Sequence, residues 1–131
     1  MTSPFRVLIV DDDDTLREFM SFSVQDALKR RGVKHTIGEA SGYDTGLAYI
    51  AGNNPHLTIS DFNMVGKDGV EMIADARKRG YQGMAVIASG NADQAMDKAK
   101  ELGLEIKVIA KPFKSATIKE IVDEALTKYQ Q

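Results

Sequence analysis

A chain of 131 residues is long enough to bury a hydrophobic core and short enough for one domain, which we expect to span residues 1–131. Hydrophobic residues make up 43% of the chain and charged residues 27%, a balance that excludes a disordered protein. The net charge is -2, and cysteine is absent. The charge argues against nucleic-acid binding by this domain, and the lack of thiols excludes disulfides, thiolate metal sites and cysteine nucleophiles.

The first apolar run of the chain is short. It ends at Asp11, which is too early for a secretory signal peptide. No stretch approaches the roughly 20 apolar residues that a membrane-spanning helix requires. We therefore expect a cytoplasmic protein that has no membrane partner.

Short apolar runs alternate along the chain with longer stretches of helical periodicity. The apolar runs predict five strands, at residues 5–10, 34–40, 56–61, 84–88 and 106–110. The first helix is predicted to begin near Thr15, which forms a capping-box pattern with Glu18, and to end at Gly32. Its predicted inner face carries Leu16, Phe19, Met20, Val24, Ala27 and Leu28. The later helices are predicted at residues 43–51, 69–79 and 91–102 and around the apolar residues from Ile118 to Tyr129.

Five strands and five helices in strict alternation predict an α/β fold. The expected architecture is a doubly wound, five-stranded parallel sheet with helices on both faces. Residues 7–10 and 84–88 are apolar without alternation, as expected for strands buried on both faces. In such sheets ligands bind beyond the carboxyl ends of the strands, where the strand order reverses.

Acidic residues follow two of the predicted strands. Asp11 and Asp12 come directly after the first strand, and Asp61 ends the third. If these strands are neighbours, their backbones lie about 4.8 Å apart and the carboxylates repel one another. A divalent cation would relieve that repulsion, and Mg²⁺ favours a few carboxylates together with water and phosphate oxygens. The alternative role of capping the first helix suits Asp13 and Asp14 better.

A lysine and a serine end two further strands. Lys111 follows the fifth strand and precedes Pro112, where a cis peptide bond could turn the backbone. From there its ammonium could pair with Asp61 and stabilise the oxygens of a phosphoryl group in transit. Ser89 ends the fourth strand and offers a hydroxyl at the same edge. These residues predict a phosphoryl-transfer site centred on Asp61.

The chain resembles the receiver domains of two-component response regulators, and most closely the single-domain chemotaxis type. The resemblance covers nearly the whole chain. It is carried by Asp11-Asp12, Asp61, Asp68-Gly69, Ser89 and Lys111-Pro112-Phe113. It implies a flavodoxin-like fold with the strand order 2-1-3-4-5.

The resemblance also implies a role for each site residue. Asp61 would take a phosphoryl group from the phosphohistidine of a sensor histidine kinase or histidine phosphotransfer protein. Asp12 would bind Mg²⁺ directly, Asp11 largely through water, and Asn63 through its backbone carbonyl. Lys111 would bind a phosphoryl oxygen.

After phosphorylation, Ser89 would move towards the phosphate. The new charge would then bias a two-state surface that an unknown downstream protein target or output domain reads.

Three positions depart from the pattern of the family. Val65 stands where a proline is usual, which predicts a looser loop after Asp61. Val108 stands where an aromatic switch residue is usual, so coupling through an aromatic flip is not expected. Asn63 and Asn91 occupy the positions that tune how fast water removes the phosphoryl group.

Two other interpretations remain to be weighed. The segment from Asp11 to Leu16 also fits the first motif of haloacid-dehalogenase-type phosphatases, in which Asp11 would be the nucleophile and Asp13 the general acid. Ser89 and Lys111 would suit the second and third motifs of that family. The phosphatase would need a later acidic pair at a strand end, but the later acids Glu120, Asp123 and Glu124 fall in the predicted last helix. The second interpretation is a phosphorylation-independent interaction module with a receiver fold.

Overall fold

The computed structural model describes residues 3–129, in which five strands alternate with five helices. The strands are β1 (Phe5–Val10), β2 (His35–Ala40), β3 (Leu57–Asp61), β4 (Met84–Ser89) and β5 (Lys107–Ala110). The helices are α1 (Asp14–Arg30), α2 (Tyr43–Asn53), α3 (Gly69–Lys78), α4 (Ala92–Glu101) and α5 (Ser115–Tyr129). All neighbouring strands are parallel, in the order β2-β1-β3-β4-β5. The predicted fold class and strand order are therefore confirmed.

Both faces of the sheet are buried by helices. Residues 7–10 of β1 and every residue of β4 are buried, which explains why these two runs are apolar without alternation. The helices α1 and α5 cover one face, where the core includes Val7, Ile9, Ile59, Met20 and Ile121. The helices α2, α3 and α4 cover the other face, where the core includes Leu8, Val10, Ile87, Ile50 and Ile73. The chain changes faces between β1 and β3, so the crevice of the switch point opens at their carboxyl ends.

The first helix begins earlier than the capping-box pattern predicts. Its N-cap is Asp13, whose Oδ1 accepts hydrogen bonds from the amides of Thr15 and Leu16 at 3.0 and 3.2 Å. The predicted start at Thr15 is wrong because the aspartate carboxylate satisfies two of the otherwise unpaired amides of the first turn. The prediction that Asp13 caps this helix is confirmed.

Phe19 does not belong to the buried face of α1. It is 38% exposed, and its ring centroid lies 6.2 Å from that of Phe113. The buried face of the helix includes Met20 and Val24, and Phe19 lies about 100° around the helix from Met20, at the margin of that face. Phe22, one turn further along, is 69% exposed.

The second helix is longer than predicted. It continues through residues 52 and 53 and ends at Asn54, which has a positive φ of 47° and donates its amide to the Ile50 carbonyl.

Among the described residues, no helix combines the length and apolar character needed to cross a membrane.

Candidate functional site

Three carboxylates meet where β1 and β3 end. In the register of these strands Val10 pairs with Ser60, so the residues that follow, Asp11 and Asp61, lie beside each other. Oxygen atoms of Asp11, Asp12 and Asp61 lie within 4.8 Å of one another. Asp11 and Asp61 are buried, whereas Asp12 is exposed to solvent. The structure therefore brings together the three acids that the sequence predicts as metal ligands.

The carboxylate of Asp11 is unusually short of partners. Asp11 is fully buried; its Oδ1 accepts a hydrogen bond from the Asp13 amide at 2.8 Å, but its buried Oδ2 has no hydrogen-bond partner among the described residues. Burial raises the pKa of the Asp11 carboxyl, and the negative charges of Asp61 and Asp12 raise it further, against the Asp13 amide and the Lys111 charge. An unpartnered carboxylate oxygen in an acidic crevice suits a hard divalent cation such as Mg²⁺.

Arg17 holds the turn that carries these acids. Its Nη1 donates to the backbone carbonyl of Asp11 at 2.7 Å, its Nη2 to Asp14 at 2.6 Å, and its Nε to Glu39 at 3.1 Å. The guanidinium thus joins the end of β1, the first turn of α1 and the strand β2. Sequence reasoning missed this residue, although its spacing three residues after Asp14 on a helix was a usable signal.

Lys111 reaches the acidic cluster from the end of β5. Its Nζ donates to Asp61 Oδ1 at 2.5 Å and lies 4.0 Å from Asp11 Oδ2. The backbone amide of Lys111 donates to the Ser89 carbonyl at 2.8 Å, and this hydrogen bond joins the ends of β4 and β5. The peptide bond from Lys111 to Pro112 is cis. None of the described residues donates a hydrogen bond to the other carboxylate oxygen of Asp61, Oδ2. The predicted pairing of Lys111 with Asp61 is present.

Ser89 is at the same edge but is not bonded to Asp61. It is 1% exposed, and its hydroxyl donates to the Asn91 carbonyl at 2.9 Å and accepts from the Asn91 amide at 3.0 Å. The Asn91 side chain in turn caps α4 by accepting from the Gln94 amide at 3.1 Å. In this state the Ser89 hydroxyl holds the loop before α4 and is not directed at a phosphoryl group on Asp61.

Asp68 is a structural residue of the loop after Asp61. Its Oδ1 accepts from the Glu71 amide at 2.8 Å, and Glu71 Oε1 accepts from the Asp68 amide at 2.9 Å, a capping box that starts α3. Lys98 of α4 bonds the second oxygen of Asp68 and lies 3.4 Å from Glu71. Asn63 lies exposed in the same loop, two residues after Asp61.

The two valines that depart from the family pattern have different surroundings. Val65 is 87% exposed in the loop between β3 and α3. Val108 is half-buried in β5, beside Ile87 of β4, and packs against the core on the face of α2, α3 and α4. A valine side chain carries no polar atom, so neither residue can supply a charge or a hydrogen bond to the acidic cluster.

Comparisons with known proteins agree with this geometry. A model of the response regulator receiver domain matches residues 7–123. The chain is 33% identical over 121 residues to a probable chemotaxis protein CheY of Rhizobium etli, covering 90% of this chain and 89% of that protein. It is also 30% identical over 130 residues to protein-glutamate methylesterase/protein-glutamine glutaminase 2 of Koribacter versatilis. That match covers 97% of this chain and 35% of the relative, so the chain spans about a third of that relative's length.

The fold is shared with solved structures. Chemotaxis protein CheY4 of Vibrio cholerae superposes with a TM-score of 0.80 at 22% sequence identity, covering 95% of this chain and 100% of that chain. The strand order, the acidic cluster at the switch point and the family match over most of the length lead to one conclusion. The chain belongs to the response regulator receiver domains, the phosphoacceptor domains of two-component signalling.

Proposed function

We propose that residues 1–131 form one receiver domain in which Asp61 is the phosphoacceptor. The donor would be the phosphohistidine of a sensor histidine kinase or a histidine phosphotransfer protein. The observation that carries this proposal is the environment of Asp61: a buried carboxylate with one oxygen bonded to Lys111, beside Asp11 and Asp12. The arrangement supplies a nucleophile, a cation for phosphoryl oxygens and carboxylate ligands for a metal.

In the proposed transfer, Oδ2 of Asp61 attacks the phosphorus atom of the donor. A bond from oxygen to phosphorus forms while the bond from phosphorus to the histidine nitrogen breaks. The imidazole leaves with the electron pair and takes a proton from solvent. Lys111 Nζ, which lies at Asp61 Oδ1, is placed to donate to an incoming phosphoryl oxygen as negative charge gathers there.

The residues present fit Mg²⁺. The carboxylates of Asp11, Asp12 and Asp61 would hold it together with the backbone carbonyl of Asn63, and the unpartnered Oδ2 of Asp11 is the oxygen most in need of a cation. When bound, Mg²⁺ neutralises negative charge on the carboxylates and on the phosphoryl oxygens. The same site would catalyse its own phosphorylation by small acyl phosphates and its own dephosphorylation by water.

The output of the domain would begin at Ser89. Movement of its hydroxyl towards a phosphoryl group on Asp61 would break both hydrogen bonds to Asn91 and release the loop that caps α4. A shift of α4 would then present a changed surface to a downstream protein target or output domain. Because a histidine kinase draws on intracellular ATP, this function also implies a cytoplasmic protein.

The experiment that tests the proposal follows the mass of the intact protein during incubation with Mg²⁺ and a small acyl-phosphate donor. The wild type is expected to form a single phosphoryl adduct. Asp61→Asn should form none, and Asp93→Asn should form the same adduct as the wild type. Asp93 is a matched control because it is an exposed aspartate in the first turn of α4.

Two outcomes would favour the other interpretations. An adduct that survives Asp61→Asn but is lost in Asp11→Asn would favour the phosphatase. The structure gives that interpretation no support, because Asp13, its general acid, is occupied in capping α1. Measurable Mg²⁺ binding without any adduct would favour the interaction module.

A further inference from the structure

The loop between β3 and α3, residues 62–68, carries Asn63 past the metal site with little support from its own backbone. At its ends, the Phe62 amide donates to the Ala88 carbonyl and the Gly69 amide to the Phe62 carbonyl, both at 2.9 Å. Within the described chain, no amide from residue 63 to residue 67 donates to a backbone carbonyl. A loop with so few hydrogen bonds needs side-chain contacts to hold one conformation.

Two side chains of this loop make strong polar contacts with the rest of the domain. Asp68 fixes the end of the loop through its capping box with Glu71 and its contact with Lys98. Lys67, one residue earlier, makes the other set of contacts. Lys67 Nζ donates to Asp75 Oδ2 of α3 at 3.1 Å and lies 5.2 Å from the centroid of the Tyr43 ring of α2. The Tyr43 hydroxyl donates to the same oxygen of Asp75. The ammonium therefore lies close to both a carboxylate and an aromatic ring.

The three side chains come from three separate elements and support one another. The hydrogen bond from Tyr43, followed by that from Lys67, lowers the pKa of Asp75, which keeps its carboxylate charged. The side chains of Lys67 and Asp75 are 54% and 22% exposed, so solvent screens this pair in part. The only other side-chain hydrogen bond of residues 63–67 within the described chain is a weak one, from Ser60 to the Met64 sulfur at 4.0 Å, and Met64 also packs against the apolar core.

We propose that Tyr43, Lys67 and Asp75 are positioning residues that tether the loop after Asp61 and so hold Asn63 in place for Mg²⁺ binding. The tether supplies from side chains the restraint that the backbone of the loop lacks. It restrains the loop two residues after Val65, whose side chain is exposed. The proposal rests on the proposed function in one respect, because it takes the backbone carbonyl of Asn63 to be a ligand of Mg²⁺.

The tether is tested by two measurements that need no phosphorylation. Hydrogen exchange of the amides of residues 63–67 is followed in metal-free protein, and the Kd for Mg²⁺ is measured by calorimetry. In Lys67→Met, which keeps the apolar stem, we expect exchange to become faster and the Kd to rise, each by about fivefold, the limit for a surface pair. Lys67→Arg should restore both values towards the wild type, since its guanidinium can still reach a carboxylate and an aromatic face.

Matched variants separate the tether from a general loss of charge. Lys100→Met removes one exposed lysine of α4 and should leave both measurements unchanged. The variants Asp75→Asn and Tyr43→Phe remove the other two polar groups of the tether. The double variant Lys67→Met/Asp75→Asn should raise the exchange rate and the Kd no more than either single change, because all act on one contact.

The exchange rates and the Kd values together support or overturn the tether. If loop exchange and the Kd for Mg²⁺ in Lys67→Met and Asp75→Asn equal those of the wild type, the tether is overturned. If the wild type binds no Mg²⁺, the metal site of the proposed function fails while the exchange measurement still supports or overturns the tether. Unchanged melting temperatures, together with the expected shifts, would show that the effect is local to the loop.

Discussion

The backbone of Gly69 passes so close to Asp61 that a Cβ atom at Gly69 would lie 2.3 Å from the Asp61 carbonyl oxygen. The same atom would lie 2.9 Å from the hydroxyl of Ser60. Because the obstacle is mainly backbone, it cannot give way by rotating a side chain. The glycine of the Asp68-Gly69 pair is therefore needed for α3 to start directly beside the end of β3.

Gly69→Ala should consequently disturb both stability and the site. We expect the free energy of unfolding to fall by about 2 kcal/mol, as for other overpacked positions, and Mg²⁺ binding to weaken because the end of β3 must move. Urea denaturation and a Mg²⁺ titration measure the two effects. Gly52→Ala is the control, since a Cβ at this helical glycine meets nothing within 4 Å and should be neutral or stabilising. Equal stability of the two variants would refute the packing argument.

Lys111→Ala should separate metal binding from phosphoryl transfer. The change removes the donor 2.5 Å from Asp61 Oδ1 but no carboxylate, so Mg²⁺ should still bind. Adduct formation from a small acyl phosphate should slow by about a hundredfold, the usual cost of losing one donor to transition-state charge. Mass spectrometry of the intact protein gives this rate.

The control for that prediction is Lys114→Ala. Lys114 is exposed in the turn just before α5 and is three residues from Lys111 in the chain. It should behave as the wild type in both measurements. A loss of Mg²⁺ binding in Lys111→Ala, or an unchanged rate, would contradict the role assigned to Lys111.

The core of the site could be predicted from the sequence because parallel strands place their carboxyl ends at one edge. Once β1, β3 and β5 are identified from their apolar runs, Asp11, Asp61 and Lys111 must lie at that edge. The crowding of Asp12 with these groups follows from the spacing between neighbouring strands. The acids crowd together only if β1 and β3 are neighbours, and the resemblance to receiver domains implied that strand order.

The partners of Ser89 and Lys67 could not be predicted in this way. A serine at a strand end reaches either the neighbouring strand or its own following turn, and the choice depends on the conformation of that turn. Lys67, Tyr43 and Asp75 meet only because α2 docks against α3, and the pairing of Tyr43 with Asp75 spans 32 residues. Periodicity and motif spacing describe local structure and carry no information on such contacts.

Asp11→Asn should stabilise the metal-free protein and reduce the stability gained from Mg²⁺. The buried Oδ2 of Asp11 has no hydrogen-bond partner in the part of the chain that the structure describes, and the neighbouring Asp61 and Asp12 carry like charges. In the presence of a chelator, we expect the neutral amide to raise the free energy of unfolding by about 1 kcal/mol. With Mg²⁺ added, the wild type should gain more stability than the variant, because the variant has lost a charged ligand.

Thermal unfolding with and without Mg²⁺ measures this effect. Asp26→Asn is the control, since Asp26 lies on α1 away from the cluster and forms a surface ion pair with Arg30. Its stability should change little in either condition. A metal-free Asp11→Asn protein that is less stable than the wild type would show that the charge of Asp11 is not a cost to the fold.

His56 should make stability depend on pH at the opposite end of the sheet from Asp61. Its Nδ1 accepts a hydrogen bond from the Arg6 amide at 2.9 Å, and its ring stacks on Phe5 with centroids 4.9 Å apart. Burial lowers the pKa of His56 from its usual 6.5, and the nearby Arg6 charge lowers it further. The folded protein therefore holds this imidazole neutral under conditions where the unfolded chain protonates it.

The sign of the effect follows from proton linkage. Above the unfolded-state pKa, His56 is neutral in both the folded and the unfolded protein, and its contribution to stability is fully present. As the pH falls below about 6.5, the unfolded protein binds a proton that the folded protein does not. The free energy of unfolding should thus decrease until the pH reaches the lowered pKa of the folded protein. His56→Asn, whose amide oxygen can accept the same hydrogen bond, and His56→Phe, which keeps the stacking, should both show a smaller decrease than the wild type. Urea denaturation at several pH values across this window gives the slopes; parallel slopes for all three proteins would show that His56 is not the group responsible.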